Sequence, residues 1–220
     1  MERIFIPAYE RRDPKGYGEA LECSRKALAQ IDPVDMARKS GASYQEGRFI
    51  LKSMGHFFTI TFPQGIVTFK DSELEPDFLV QVILINYLGR ASGEPLTYKY
   101  ITYRDLPGGN AFYNAFWQLA INPLKETFEL NPGGLSVTAP YLGGEVIVEN
   151  SRSEVLFWFL PRVPLKYLVW GGDEEIEGRA NILYDSSASL YLHTEDLAGA
   201  GHYLTMYIQD LYQKIQSEGG

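Results

Sequence analysis

The sequence predicts an α+β fold: a mainly antiparallel sheet with helices at both ends and between the strand groups. Three observations predict it. Strand-length runs rich in aromatic and β-branched residues dominate the middle of the chain. Amphipathic or wholly apolar helical stretches sit at both ends and between those runs. The strict strand–helix alternation of a parallel sheet is missing. At 220 residues, 45% hydrophobic and 14% aromatic, the chain suits a single domain with a substantial core.

Residues 1–16 read as a loose arm in which Ile4, Phe5 and Ile6 could pair with a sheet edge. A first helix is expected from about Tyr17 to Ile31, with Leu21, Leu28 and Ile31 on one face, helped by Ala20, Ser24 and Ala27. Asp32-Pro33 stops it, because the residue before proline is pushed out of the helical region. Val34 to Ser40 forms a short further helical turn capped by Gly41. Three strands follow, 48–53, 56–62 and 66–69. Met54-Gly55 and Pro63-Gln64-Gly65 join them, which reads as an antiparallel meander. Glu75-Pro76-Asp77 opens a helix whose body, FLVQVILINYL, is apolar nearly all round and so belongs in the core.

Thr97 to Tyr103 alternates as a strand does. After the turn residues 105–110, Asn110 is expected to cap a helix reaching about Leu119, with Phe112, Phe116 and Leu119 on one stripe. Asn122-Pro123 kinks or ends it, with a further helix over 124–130. Short strands are expected at 137–141 and 145–148. Val155 to Leu160, an unbroken apolar run, reads as a strand buried on both faces. Pro161 and Pro164 cannot donate to a ladder, so the Pro161–Pro164 stretch reads as a corner. Strands 165–170 and 180–184 flank a polar loop holding Asp173, Glu174 and Glu175. Thr194 is the expected cap of the last helix, Glu195 to about Gln216, with Glu195 and Asp196 on its positive end. Gly199 and Gly201 weaken that helix by roughly 1 kcal/mol each relative to alanine.

Composition removes several classes of function. A net charge of −8, with scattered Lys and Arg, argues against a nucleic-acid surface. No run reaches the ~18 apolar residues of a membrane span. The opening MERIFIPAYERRDPKG has no basic segment followed by an apolar one, so no signal peptide and a cytoplasmic location are expected. The single cysteine, Cys23, rules out an internal disulfide and any iron–sulfur cluster held by the chain's own cysteines.

The residues that could carry chemistry gather late in the chain. Arg162, held between two prolines beside an aromatic run, suits bidentate recognition of a carboxylate or phosphate, or an internal pair with Asp173, Glu174 or Asp185. With Trp158 and Trp170 as aromatic walls, and Asp173, Glu174 and Asp185 as its acidic edge, it outlines a ligand-binding site. Asp185, His193 and Glu195 outline a hard-cation site instead, although no EF-hand or HExxH spacing is present. Gly108-Gly109 before a helix reads as an anion-binding start or as a turn demanding positive φ. His56 falls in an alternating strand and His202 on the last helix. Cys23, being alone, reads as a packing residue, and no GxSxG elbow occurs.

Two of these stretches carry a resemblance. RDLPGG at 104–109, followed by an aromatic-rich helix, and LPRVPLKYLVWGGDEEIEGRANILYDSSASLYLHTEDL at 160–197 resemble the domain-of-unknown-function family 3786 of anaerobic bacteria and archaea. The resemblance runs from about Tyr17 onward. It implies a setting in anaerobic one-carbon or redox metabolism and brings no assigned activity or site. Some members carry an added cysteine-rich iron–sulfur segment, from which this chain departs.

The expectation is therefore an accessory or small-ligand-binding protein whose partner is a small molecule or another protein. A metal-assisted enzyme using the acidic and histidine residues of 173–195 is the first alternative. A module docking a protein through an aromatic patch is the second. Whether the chain is an enzyme, and which cofactor if any it takes, stays open at this level.

Overall fold

The computed structural model describes residues 14–149, 152–173 and 175–218. The expected loose arm lies outside the described residues up to Asp13, and from Pro14 the chain is helical.

The strands form two antiparallel sheets. β1 (Ser43–Gln45), β2 (Arg48–Ser53), β3 (His56–Thr61) and β4 (Val67–Phe69) make a meander in the order β1-β2-β3-β4. β1 is too short for its periodicity to be read. β5 (Tyr100–Thr102), β6 (Gly144–Glu149), β7 (Arg152–Leu160), β8 (Val163–Trp170) and β9 (Arg179–Asp185) pair in the order β5-β9-β8-β7-β6. Every pairing is antiparallel, and the chain is an α+β protein. The sheets meet where Ser53 Oγ donates to the Phe159 carbonyl at 2.6 Å and the Met54 N–H donates to the Trp158 carbonyl at 3.2 Å.

In the larger sheet Leu165 lies between Phe157 and Tyr184, which fixes the inward face. Val155, Phe157 and Phe159 of β7, Leu165, Tyr167 and Val169 of β8, and Ile182 and Tyr184 of β9 are fully buried. The expectation that β7 is buried on both faces is corrected. Its pattern alternates, and Leu156 and Trp158 are only half-buried on the outward side. That side mixes apolar and charged residues, with Leu156 and Trp158 beside an ion pair. Lys166 pairs with Glu154 at 2.9 Å and lies 4.2 Å from the centre of the Tyr100 ring.

The helices are α1 (Pro14–Leu28), α2 (Pro33–Ser40), α3 (Phe78–Arg90), α4 (Gly109–Phe116), α5 (Asn122–Phe128), α6 (Gly133–Thr138) and α7 (Thr194–Glu218). α3 lies in the core, as its apolar circumference requires: residues 80–85, Tyr87 and Leu88 are all buried. Asp77 starts it by accepting the Leu79 N–H at 2.8 Å. One hydrophobic cluster runs through α3, α7 and both sheets. Among the described residues no helix is long and apolar enough to cross a membrane.

Three further expectations are corrected. Residues 137–141 are not a strand: α6 and a 3₁₀ turn (Ala139–Leu142) occupy them, burying Leu135, Ala139 and Leu142 at a helical spacing. The helix after Gly109 does not end near Leu119. It passes through a π-helical turn (Trp117–Ile121) into α5, where Pro123 in the first turn has no N–H to donate. Thr194 is not the cap of α7, because its hydroxyl donates to the Pro107 carbonyl at 2.7 Å. His193 takes that place: its carbonyl accepts the Leu197 N–H, and Asp196 reaches back to its own N–H at 3.3 Å. The glycine at 201 is needed for close approach. A Cβ there would lie 2.8 Å from Phe116 and 2.7 Å from the Tyr184 hydroxyl.

Candidate functional site

Four helices leave a cleft of about 570 Å³ between them. Each contributes one stripe at helical spacing. α1 supplies Ala20, Cys23 and Ser24, and α3 supplies Leu79, Val82 and Asn86. α4 and its π turn supply Phe112, Ala115, Phe116 and Leu119, while α7 supplies Glu195, Ala198, Gly199 and His202. Spacings of three, four and seven residues put each set on a single face. Tyr103, stacked on Phe116 with ring centres 4.2 Å apart, completes the aromatic wall. Phe112 and Leu119 remain 52% exposed and face open space, while Phe116 and Tyr103 are buried behind them.

One end of the cleft is polar. Ser24 Oγ donates to Asn86 Oδ1 at 2.7 Å, and Asn86 Nδ2 donates to Asp196 Oδ1 at 3.0 Å, tying α1, α3 and α7 together. Beside it, Arg90 Nη1 lies 2.9 Å from His193 Nε2. A guanidinium only donates, so Nε2 is the acceptor in this contact. Burial lifts the Asp196 carboxyl above its ordinary value, and the bonds from Asn86 and from the His193 N–H offset only part of that.

Of the residues singled out in the sequence for chemistry, Cys23, His193, Glu195 and His202 line the cleft, and the others go elsewhere. Arg162 sits at the turn between β7 and β8, while the Asp173 loop follows the far end of β8, a strand of eight residues or about 25 Å. They cannot share a site. Asp173 is spent on its own loop, accepting the N–H groups of Glu175 and Ile176 at 2.9 and 2.8 Å. These bonds hold its carboxyl below the ordinary value. Glu174 lies outside the described residues. Trp158 and Trp170 lie on the outward face of the larger sheet, where Trp158 Nε1 donates to Glu145 at 2.9 Å.

Asp185 is buried and fully engaged. Its Oδ1 accepts from Thr97 and Ser187, and its Oδ2 from the Tyr98 N–H. It therefore joins neither Arg162 nor His193 and Glu195. Among the described residues no group of three or more His, Cys, Asp and Glu side chains is arranged to hold a metal ion. The Gly108-Gly109 pair is a packed turn: Gly108 is left-handed (φ 74°), and a Cβ on Gly109 would lie 1.9 Å from the Tyr103 carbonyl oxygen.

Sequence reasoning missed the cleft because its walls look like core stripes. The stripe of Phe112, Phe116 and Leu119 was legible, but which layer it faced was not. A protein-family model described as Domain of unknown function (DUF3786) matches residues 32–207. No curated protein and no solved structure matches the chain.

Proposed function

The chain belongs to this family of unknown function, DUF3786, and we propose that it works as a small-molecule-binding protein through the four-helix cleft. One observation carries this reading: about 570 Å³ walled by aromatic and aliphatic side chains, with a few convergent polar groups at one end. That is the usual size and make-up of a ligand pocket. A π-helical turn in one wall supports it, since such turns frequently occur at functional sites. The resemblance adds a setting in anaerobic one-carbon or redox metabolism, and the exposed free thiol of Cys23 suits a reducing cytoplasm.

The test is native mass spectrometry of protein purified without oxygen, beside amide chemical shifts recorded with the neutral probe 2-phenylethanol. Wild type should retain a small molecule or show shifts confined to residues lining the cleft. Ala115→Trp, which fills the cleft from an exposed helical position, should abolish both. No retained mass and no localised shift in wild type would refute the reading.

A further inference from the structure

Resting on the cleft reading, the geometry points to an organic cation as the ligand class: a protonated amine or quaternary ammonium group on an apolar body. We infer this from charge and ring placement together. The described lining carries two carboxylates, Glu195 and Asp196, and neither lysine nor arginine. The nearby Arg90 is engaged with the ring of His193 and does not itself line the cleft.

At the Ser24–Asn86–Asp196 end the hydrogen bonding favours a donor. Ser24 spends its proton on Asn86 and so offers the cleft only lone pairs. The Asp196 carboxylate receives one bond on each oxygen, from Asn86 and from the His193 N–H, and a carboxylate can accept more than these two. A bound ammonium would supply the missing donors and neutralise a carboxylate that burial disfavours. The walls add to this. Phe112 presents an exposed aromatic ring, backed by the buried stack of Phe116 on Tyr103; the negative face of a ring attracts cations, and a ring combined with carboxylates can hold an organic ammonium group. An anionic ligand would meet two like charges here and no matching guanidinium or ammonium in the lining.

Three probes of one shape separate this proposal from the cleft reading beneath it: 2-phenylethylammonium, 2-phenylethanol and phenylacetate, titrated into the full chain by calorimetry or NMR. The ammonium should bind about five- to thirty-fold tighter than the alcohol, as cation–π contact in a partly desolvated site allows. Phenylacetate should bind most weakly. Glu195→Gln, a change at an exposed position, should reduce the preference for the ammonium over the alcohol, and Asp196→Asn should reduce it further. Equal binding of alcohol and ammonium overturns the cation assignment and leaves the cleft reading standing. Tighter binding of phenylacetate overturns it outright. Binding of none of the three overturns the cleft reading and this one with it.

Discussion

Thr97 holds Asp185 twice, through its backbone N–H at 3.1 Å and its hydroxyl at 2.9 Å, both to Oδ1. Ser187 repeats the pattern at 2.9 and 2.6 Å, and the Tyr98 N–H reaches Oδ2 at 2.6 Å. One carboxylate thus fastens the segment before β5 to the end of β9. Burial alone would raise its pKa; the bonds from Ser187 and Thr97 outweigh burial and hold the carboxyl below its ordinary value. Asp185→Ala strands several donors and should cost on the order of 3 kcal/mol or more. Because the folded pKa is depressed, the contribution is complete above the unfolded value near pH ~4 and is lost as pH falls through the folded value. Urea midpoints measured between about pH 2 and 6 should fall for wild type and show a weaker dependence for Asp185→Asn.

The alternation of β7 sets a contrast between neighbours. Phe159 is fully buried on the inward face, whereas Leu156 is half-buried on the outward one. Phe159→Ala should cost roughly 3–5 kcal/mol, from lost transfer energy and the cavity left behind. Leu156→Ala should cost about 1 kcal/mol, since much of its surface already meets water. Chemical denaturation of both variants checks this, and equal losses would mean that another layer covers the outward face.

Arg162 and Tyr87 make a second contrast. The Tyr87 hydroxyl donates to the Ser40 carbonyl at 2.6 Å and accepts the Arg162 backbone N–H at 3.1 Å. Arg162 therefore anchors its corner through the main chain, which any residue but proline can do. Arg162→Ala should change stability by no more than about 1 kcal/mol. Tyr87→Phe leaves a buried carbonyl and amide without their partner and should cost roughly 1–3 kcal/mol. Thermal melting of the two variants would show the order reversed if the guanidinium carried the corner.

What could be read in the sequence was local. The apolar circumference of 78–88 placed α3 in the core, and the alternation of 48–61 gave the meander, because burial imposes those patterns directly. The site was not legible on the same terms. Arg162 and Asp173 are close in sequence, yet β8 carries them to opposite ends of one strand. The cleft walls come from helices up to about 180 positions apart, Ala20 and His202 among them. Each wall carries an ordinary helical stripe. Only the packing of α1 and α4 across α3 and α7 decides that these stripes face a gap.

The remaining prediction concerns the joint between the smaller sheet and α7. His56 Nε2 lies 2.8 Å from the Tyr207 hydroxyl, the two rings nearly parallel, and Phe69 meets the imidazole edge to face. Burial lowers the pKa of His56, so the folded state favours the neutral ring. Between the folded and unfolded values the unfolded chain binds more protons, so stability rises with pH across that window. It should accordingly be complete above pH ~6.5 and decline as pH falls below that value, until the folded histidine also protonates. His56→Phe removes the titration and leaves the Tyr207 hydroxyl without this partner. Its stability at neutral pH should drop by about 1–3 kcal/mol, and its urea midpoint should vary less between about pH 5 and 7.5 than that of wild type. A wild-type midpoint that stayed flat across that range, with His56→Phe no less stable, would show that this contact contributes nothing to the joint.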